Sequence, residues 1–376
     1  MVKEIVERQA AASGVEEIQV DGFDHVEFYV GNALQASYYY SRGFGFDLVA
    51  YKGLETGDRE QVSYVMKQGS VQMVLTGALT PESEIADHAH KHGDGVKAIG
   101  FRVRDAKKAF ETAIERGARV HKELEEHEDE NGRFLCGSVY TYGDTIHKFI
   151  ERQDYNGPFA PGFKSVEKKC EGTPVGLMSI DHIVGNVEVE KMEYWVDYYK
   201  KVFGFYVYQY FDKDDISTQY SALVSKVMAN KSGTIKMPIN EPSEGLRKSQ
   251  IQEYLDYYTA GGVQHIAITT RDIIKTVGEL HKRGVEFLTV PQSYYDSLTE
   301  RVGEIDEDIE ELAKLGILVD RESGGYLLQI FTKPVEDRPT LFFEIIQRKG
   351  AKGFGKGNFQ ALFESIEREQ AVRGNL

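Results

Sequence analysis

The chain repeats itself, and the repeat constrains its fold more than any other feature. Each half contains an Asp-His pair, then an apolar stretch, an aromatic-rich helical stretch and Phe-Gly-Phe, at residues 24–46 and again at 181–205. A second pair of matching strings reads GVKAIGFRVRD at 95–105 and GVQHIAITTRD at 262–272. Similar strings that recur in the same order in both halves are the mark of a duplicated structural unit. We therefore predict two copies of one module.

Within each copy the hydrophobic pattern changes from strand-like to helix-like and back. Residues 25–30 alternate with period 2, helix-like spacing follows, and β-rich runs such as 60–76 and 133–151 come after it. This order predicts βαβββ units, two per module, and a fold of the α+β class. We expect an N-terminal module over 1–152, a Pro- and Gly-containing linker over 153–177, and a C-terminal module over 178–376.

Composition limits the functional classes. The 376 residues carry 45 Lys and Arg against 60 Asp and Glu, a formal net charge of −15. Nucleic acid and anionic membrane are not expected partners, because both require a basic face. No apolar run is long enough to span a bilayer, and the N-terminus has no apolar signal segment. Cys136 and Cys170 form no CxxC pattern, which argues against a disulfide scaffold and favours a reduced cytoplasm.

The two copies differ at matched positions. Both begin with a histidine, His25 in the first copy and His182 in the second. At the next matched position the second copy has His265, where the first has Ala98. The first copy therefore offers one imidazole where the second offers two. We interpret His25 as a relic or as a hydrogen-bonding residue of the core.

A third match between the copies is weaker. It pairs TIHKFIER at 145–152 with TLFFEIIQR at 340–348, and its simplest alignment sets Phe149 against Glu344. The C-terminal copy alone thus carries a carboxylate here. Three candidate ligands follow, each on a separate predicted strand: His182, His265 and Glu344.

Two imidazoles and one carboxylate form the facial triad of non-haem iron(II) enzymes. Imidazole suits Fe²⁺, one carboxylate offsets part of its charge, and the open positions can hold a bidentate 2-oxo acid together with O₂. Zinc binds the same set of donors, so this pattern alone leaves the metal open. A single strand histidine is more often an ordinary polar residue. What favours a metal site is three candidates at equivalent points of a repeated module.

The C-terminal stretch predicts a helix with one apolar face. Asn358 is a candidate N-cap behind the Gly-rich loop 353–357. Such a face either packs on a core or closes over a pocket. The residues that form it follow at i, i+3, i+4 and i+7: Phe359, Leu362, Phe363 and Ile366.

Other signals are weaker. An insertion near 290–325 contains an acidic, helix-like stretch at 305–315. The GFGKG loop lacks the spacing and the βαβ context of a dinucleotide site. A short histidine tract lies on a predicted exposed helix end, and we interpret it as solvated: His88, His90 and His92.

Six strings in the C-terminal half are long, specific and in a characteristic order. They read SIDHIVGNV (179–187), MPINEP (237–242), KSQIQEYL (248–255), GGVQHIA (261–267), GILVDRESGGYLLQIFTKP (316–334) and RPTLFFEIIQRKGAKGFGKGNF (338–359). In these strings, and more thinly over about 20–370, the chain resembles the 4-hydroxyphenylpyruvate dioxygenase family of the vicinal-oxygen-chelate superfamily.

This resemblance implies roles for the matching residues. His182, His265 and Glu344 correspond to the family's iron ligands. Polar residues of its active site correspond to Ser225, Asn240, Gln250, Gln264 and Gln329, and its aromatic wall to Phe331, Phe342, Phe354 and Phe359. The resemblance also implies that the C-terminal module forms an open barrel around the metal, with a gating C-terminal helix over its mouth. The N-terminal module is then non-catalytic and serves packing or assembly.

The implied reaction is the conversion of 4-hydroxyphenylpyruvate and O₂ to homogentisate and CO₂ in tyrosine catabolism. It combines oxidative decarboxylation, ring hydroxylation and migration of the side chain. Fe(II) is the one cofactor implied, and the family forms homodimers or homotetramers. The nearest rival is 4-hydroxymandelate synthase, which uses the same substrate but hydroxylates the benzylic carbon. The synthases tend to carry an apolar residue at the position of Asn240 and to lack Phe359.

Two further alternatives belong to other functional classes. A non-catalytic small-molecule-binding protein of the same fold is disfavoured because all three candidate ligands are present. A zinc or nickel isomerase of the glyoxalase type usually shares its metal set between modules. The first module has Ala98 and Phe149 at the matched positions, so it cannot contribute equivalently.

Overall fold

The computed structural model describes residues 14–375 except 167–171, 214–217, 219, 221, 244 and 323. Two large mixed sheets, of nine and eight strands, account for most of the described chain. Cys170 and residues 1–13 lie outside the described residues. Cys136 is a free thiol. Among the described residues no helix is both long and apolar enough to cross a membrane.

The first sheet belongs to the N-terminal half. Its strands are β1 Gly22–Tyr29, β2 Asp47–Lys52, β3 Gln61–Gln68, β4 Val71–Ala78, β5 Gly95–Arg102, β6 Val120–Asp129, β7 Gly132–Tyr140, β8 Ile146–Glu151 and β9 Lys164–Ser165. The helices beside it are α1 Ala33–Arg42, α2 Glu84–His92 and α3 Ala106–Glu115, with a 3₁₀ turn at Leu54–Thr56.

The second sheet belongs to the C-terminal half. Its strands are β10 Leu177–Asn186, β11 Tyr206–Phe211, β12 Ala222–Ala229, β13 Lys236–Ser243, β14 Gly262–Thr270, β15 Leu318–Glu322, β16 Gly325–Phe331 and β17 Phe342–Lys349. Its helices are α4 Met192–Tyr198, continued by a π turn at Tyr199–Phe203, α5 Gln250–Tyr258, α6 Ile273–Lys282, α7 Gln292–Asp296, α8 Leu298–Val302, α9 Ile309–Leu315 and α10 Phe359–Val372, which follows a 3₁₀ turn at Lys356–Asn358.

The predicted α+β class and the two βαβββ units per module are confirmed. The first sheet contains β1-α1-β2-β3-β4 and β5-α3-β6-β7-β8, and the second contains β10-α4-β11-β12-β13 and β14-α6-β15-β16-β17. The strand orders are β6-β7-β8-β5-β1-β4-β3-β2-β9 and β11-β12-β13-β10-β14-β17-β16-β15. In both sheets the leading strands of the two units pair antiparallel, β1 with β5 and β10 with β14. The opening strands of the two units therefore lie side by side, in opposite directions.

The same local sequence begins the same helix in both copies. Each matched string ends in an aspartate, and each carboxylate caps a helix: Asp105 accepts from the amide of Lys108, and Asp272 from that of Lys275. These bonds satisfy amide donors that the first helical turn leaves unpaired. The sequence repeat is thus a repeat of capping chemistry as well as of hydrophobic pattern.

The Phe-Gly-Phe motif of each copy packs against the other copy. Phe44 of the first copy lies 5.1 Å from Phe343 on β17, measured between ring centroids. Phe203 of the second copy lies 5.8 Å from Phe101 on β5, in an edge-to-face arrangement. All four rings are fully buried. The two sheets consequently share one continuous apolar core, which fixes the second sheet against the first.

Two predictions about surface elements are wrong. His88 and His92 are buried, because the inner face of α2 packs against α5; the ring of His92 stacks on Tyr258 at 4.4 Å, and its Nε2 lies 2.9 Å from Oδ2 of Asp144. Only His90 of the tract is exposed. In the insertion, helix α9 starts at Ile309 instead of residue 305, because Asp308 caps it through the amides of residues 310 and 311.

Candidate metal centre and its cavity

Three predicted ligands converge at one point. Nε2 of His182 lies 3.1 Å from Oε2 of Glu344, and Nε2 of His265 lies 3.5 Å from the same oxygen. One ligand atom from each residue falls within 4.8 Å of the other two, and all three side chains are buried. Within the described part of the chain, no other group of three His, Cys, Asp or Glu side chains comes together in this way.

Strand register explains the convergence. His182 on β10 pairs with Ala267 on β14, and Ala267 pairs in turn with Glu344 on β17. His265 precedes Ala267 by two positions, and residues two apart on a strand share a face of the sheet. Three adjacent strands therefore present their ligands on the same concave face.

Both imidazoles are held by acceptors on their far side. Nδ1 of His182 lies 2.7 Å from Oδ1 of Asp181, and Nδ1 of His265 lies 2.9 Å from Oε1 of Gln264. Arg348 in turn donates two hydrogen bonds of 2.7 Å to the carboxylate of Asp181. Each Nδ1 can donate to its acceptor, which leaves Nε2 of each ring available as a metal ligand at the shared point.

The charges of the site suit a cation. Burial raises the pKa of Glu344, but His182 and His265 outweigh it and lower this pKa to about 2. Burial likewise opposes ionisation of Asp181, yet Arg348 and His182 hold its pKa far below the usual range. Desolvation lowers the pKa of His265, which keeps the imidazole neutral, as a ligand must be. For His182 burial opposes protonation, but the carboxylates of Glu344 and Asp181 outweigh it and raise the pKa, so a metal ion would compete with a proton for this imidazole. A buried carboxylate between two imidazole nitrogens fits a divalent metal ion.

A cavity opens beside the three ligands and encloses about 590 Å³, counting its mouth. This volume is in the range of small-molecule sites. All twelve residues singled out in the sequence line it. They comprise the ligands His182, His265 and Glu344, the polar side chains Ser225, Asn240, Gln250, Gln264 and Gln329, and the aromatic side chains Phe331, Phe342, Phe354 and Phe359.

Aromatic rings fix the walls around the ligands. Phe342 stacks on the ring of His265 at 4.8 Å, with 20° between the planes. Phe354 meets the ring of His182 edge-on at 4.9 Å. Such contacts restrain both imidazoles, and the rings make this part of the cavity wall apolar.

Buried amides form the polar part of the wall. Asn240, Gln264 and Gln329 are each less than a tenth exposed. Two contacts of these amides are long. Nδ2 of Asn240 lies 3.5 Å from Oε1 of Gln264, and Nδ2 of a further amide, Asn358, lies 3.5 Å from Oε1 of Gln329. Bonds this long leave hydrogen-bonding capacity for a polar ligand in the cavity.

Helix α10 covers the cavity with the apolar face predicted for it. Leu362, Phe363 and Ile366 line the cavity together with Phe359. The predicted cap is right in position but wrong in mechanism. Asn358 is the N-cap residue, yet its side chain makes no capping bond; instead the hydroxyl of Tyr294 donates to its Oδ1 at 2.7 Å.

Two residues that hold the site were missed in the sequence. Asp181 and Arg348 orient His182, and neither was assigned a role. A signal existed, because both copies contain the Asp-His pair and both third strings end in arginine. The structure shows the same arrangement in the first copy, where His25 lies 2.7 Å from Asp24 and Arg152 lies 2.7 Å from the same carboxylate.

The first copy has no counterpart of His265 or Glu344. The alignment predicted for Glu344, however, is wrong. His25 pairs with Gly100, and Gly100 pairs with Lys148, so Lys148 stands where the second copy has Glu344. The simplest alignment had placed Phe149 there. The extra residue of the longer string falls before the strand, so the strings align from their C-terminal arginines.

Comparisons with known proteins agree over most of the chain. Residues 16–164 match the family model "Hydroxyphenylpyruvate dioxygenase, HPPD, N-terminal", and residues 179–330 match "Glyoxalase/Bleomycin resistance protein/Dioxygenase superfamily". The 4-hydroxyphenylpyruvate dioxygenase of Dictyostelium discoideum is 49% identical over 367 residues, covering 95% of this chain and 100% of that protein. The Caenorhabditis elegans protein of the same name is 48% identical over 365 residues, covering 94% and 93%.

A solved structure shares the fold. It is a triply substituted 4-hydroxymandelate synthase from Streptomyces coelicolor, 30% identical, with a TM-score of 0.84 over 93% of this chain and 99% of that one.

Proposed function

The chain belongs to the 4-hydroxyphenylpyruvate dioxygenase family, and from that premise we propose that it converts 4-hydroxyphenylpyruvate and O₂ to homogentisate and CO₂. The observation that carries the proposal is the convergence of His182, His265 and Glu344 at the head of a cavity lined by aromatic and amide side chains. One 2-oxo acid is decarboxylated for each ring hydroxylated. The substrate therefore supplies its own electrons, and no second organic cosubstrate is required.

Fe(II) is the proposed cofactor, held by His182, His265 and Glu344. Bound there, it would accept the 2-oxo acid as a bidentate ligand and supply the activation of O₂. The donor set supports this assignment, because two imidazole nitrogens and one carboxylate oxygen suit iron and contain no thiolate. Zinc accepts the same donors, so the proposal of iron in preference to zinc rests on the family resemblance.

The cavity walls are suited to a phenol ring. Phe331, Phe342 and Phe354 present faces and edges to a flat slot, which an aromatic ring fills by offset and edge contacts. The same rings keep His182 and His265 in place, so binding of the substrate ring does not disturb the ligands.

The buried amides select for a polar aromatic substrate. Gln250, Gln264 and Gln329 face the cavity, and each donor or acceptor left without a partner costs about 1–3 kcal/mol. A ligand with a hydroxyl and a carboxylate satisfies them, whereas a hydrocarbon does not. Helix α10 closes the mouth with Phe359 and Phe363, which limits the water that reaches the reacting groups.

The N-terminal module, 1–152, is proposed to be structural, with the linker at 153–177 and catalysis confined to 178–376. In support, the first copy has Ala98 in place of a second imidazole, and Lys148 in place of the carboxylate. The ammonium of Lys148 is paired with Glu27 at the position where the second copy has its metal centre. A cytoplasmic homodimer or homotetramer remains the prediction of the family resemblance.

The test is an aerobic assay of metal-free protein reloaded with Fe(II). The protein receives 4-hydroxyphenylpyruvate, released CO₂ is trapped, and the product is separated by chromatography against standards. Homogentisate is expected. 4-Hydroxymandelate would instead assign the activity of the synthase that shares the fold, against the expectation from Asn240 and Phe359. Iron binding without turnover would mean that the proposed substrate is wrong.

A further inference from the structure

We propose that Arg348 is a positioning residue that couples the metal ligand His182 to the 350–358 segment, which leads into α10. Metal binding and closure of the cavity by α10 would then favour each other. The proposal rests on the metal site of the proposed function and goes beyond it, because the ligand set alone requires no link to the helix.

The guanidinium of Arg348 contacts both partners at once. On one side Nε and Nη2 each lie 2.7 Å from the carboxylate of Asp181, which holds Nδ1 of His182. On the other side Nη1 donates to the carbonyl of Gly353 at 2.7 Å and to that of Ala351 at 3.4 Å. The guanidinium is a rigid plane. A shift of the Gly353 carbonyl therefore either breaks a charge-assisted bond or moves Asp181.

Gly353 is fixed from both sides of its peptide units. Its amide donates to Oε2 of Glu322 on β15 at 2.7 Å, while its carbonyl accepts from Arg348. A Cβ here would lie 2.1 Å from a carboxylate oxygen of Glu322, so a larger residue would require the Glu322 side chain to move. The segment is thus held at Gly353 by two hydrogen bonds, and Arg348 donates one of them.

A second contact joins the segment directly to the ligand. The ring of Phe354, next in the chain, meets His182 edge-on at 4.9 Å, and the guanidinium carbon of Arg348 lies 5.9 Å from the same ring. Phe354, within this segment, and Phe359, the first residue of α10, both line the cavity. Displacing the segment would therefore free one face of His182 and open the aromatic wall together.

The first copy repeats this arrangement without a metal site. Arg152 contacts the carboxylate of Asp24 at 2.7 Å and donates to the carbonyl of Phe159, whose ring meets His25 edge-on at 5.2 Å. The chain therefore contains its own control. Arg152→Gln removes an equivalent ion pair, so a purely structural contribution appears in both variants, whereas coupling to metal appears only in Arg348→Gln.

The test compares wild type, Arg348→Gln and Arg152→Gln as full chains. Calorimetry gives the dissociation constant for Co(II), the probe metal. Amide hydrogen exchange, followed by mass spectrometry, gives the protection of peptides covering 350–375 with and without saturating Co(II). Thermal unfolding of the metal-free proteins reports the structural contribution. None of these readouts depends on turnover.

We expect Co(II) to protect the 350–375 peptides of wild type and of Arg152→Gln, with equal affinity within about twofold. Arg348→Gln should bind Co(II) about 10–100-fold more weakly, the usual effect of removing a group that orients a metal ligand, and should lose the protection even at saturation. If Arg348→Gln does not fold, Arg348→Lys replaces it, with the same loss of protection expected because lysine cannot bridge both partners.

Two results would overturn the coupling. The first is an unchanged Co(II) affinity in a folded Arg348 variant. The second is weakened affinity with wild-type protection at saturating Co(II), which would make Arg348 an ordinary support for Asp181. If wild type itself binds no Co(II), the proposed metal centre fails and the coupling fails with it. That result is distinct from the other two, in which wild type binds.

Discussion

Nε2 of His182 lies 3.1 Å from Oε2 of Glu344, although the two residues belong to different βαβββ units of one module. Their strands, β10 and β17, are not neighbours; β14 lies between them and adds His265 to the same point. The centre therefore exists only when the two units pair correctly.

Gln264 should matter through His265. Its Oε1 accepts from Nδ1 at 2.9 Å, so Gln264→Leu leaves a buried donor unpaired, at a cost of about 1–3 kcal/mol. We expect Co(II) affinity to fall about 10–100-fold, as when other groups that orient a metal ligand are removed. Gln264→Glu keeps an acceptor and is the control. Wild-type affinity in Gln264→Leu, measured by calorimetry, would contradict this role.

Phe359→Ala should weaken substrate binding more than stability. The side chain lines the cavity at the start of α10, where it contacts Phe211 edge-on at 4.9 Å, and it is only partly buried. Loss of aromatic contacts worth about 1.4 kcal/mol raises KM about tenfold. The neighbouring, exposed Gln360→Ala should leave KM unchanged. Steady-state kinetics on the iron-loaded variants decide, and equal KM values for both would exclude Phe359 from the pocket.

Lys148→Met should destabilise the protein without impairing catalysis per bound iron. Lys148 is paired with Glu27, which is 7% exposed. Removing one partner of a buried pair leaves an uncompensated charge and costs about 3–5 kcal/mol. The double variant with Glu27→Gln should recover most of that loss. Urea unfolding gives the stabilities; a single variant as stable as wild type would show that the pair is not buried in solution.

Glu336 should make stability fall as pH rises. Burial, followed by the nearby carboxylate of Asp94, raises its pKa from 4.5 to about 8, against weaker lowering by Thr340 and Arg338. The folded protein thus holds this proton more tightly than the unfolded chain. The stabilisation that protonated Glu336 contributes is complete below pH 4.5 and is lost as pH rises to about 8.

The variants to compare are Glu336→Gln and, as a control, Glu286→Gln. Glu286 is exposed and lines the same surface cleft as Glu336. Melting temperatures between about pH 5 and 9 should fall more steeply for wild type than for Glu336→Gln. Glu286→Gln should follow wild type. Parallel curves for wild type and Glu336→Gln would mean that Glu336 does not titrate as its burial implies.

Much of the fold could be predicted because the chain carries its own comparison. The repeat gave the βαβββ units, and the capping aspartates Asp105 and Asp272 begin equivalent helices in both. The same comparison singled out His182, His265 and Glu344, which the structure brings together. The remaining cavity residues came from resemblance, since no periodicity indicates that an isolated glutamine faces a pocket.

The failures have physical causes that a sequence does not display. The pairing register decides whether the extra residue of the longer string falls before the strand or within it. The simplest alignment therefore assigned Phe149, and not Lys148, to the position of Glu344. Burial of His88 and His92 depends on α5 of the other half, far away in the sequence. Asp181 and Arg348 were missed because a supporting ion pair looks like any other pair of charges until its geometry is known.

The most direct test of the central claim is the amount of Fe(II) bound per chain under argon. His182→Gln and His25→Gln form a matched pair, since each removes the histidine of an Asp-His-Arg arrangement in one copy. We predict one iron per chain for wild type and for His25→Gln, and none held tightly by His182→Gln or Glu344→Ala. Undiminished iron in His182→Gln, or its loss from a folded His25→Gln, would contradict a single metal centre in the C-terminal module.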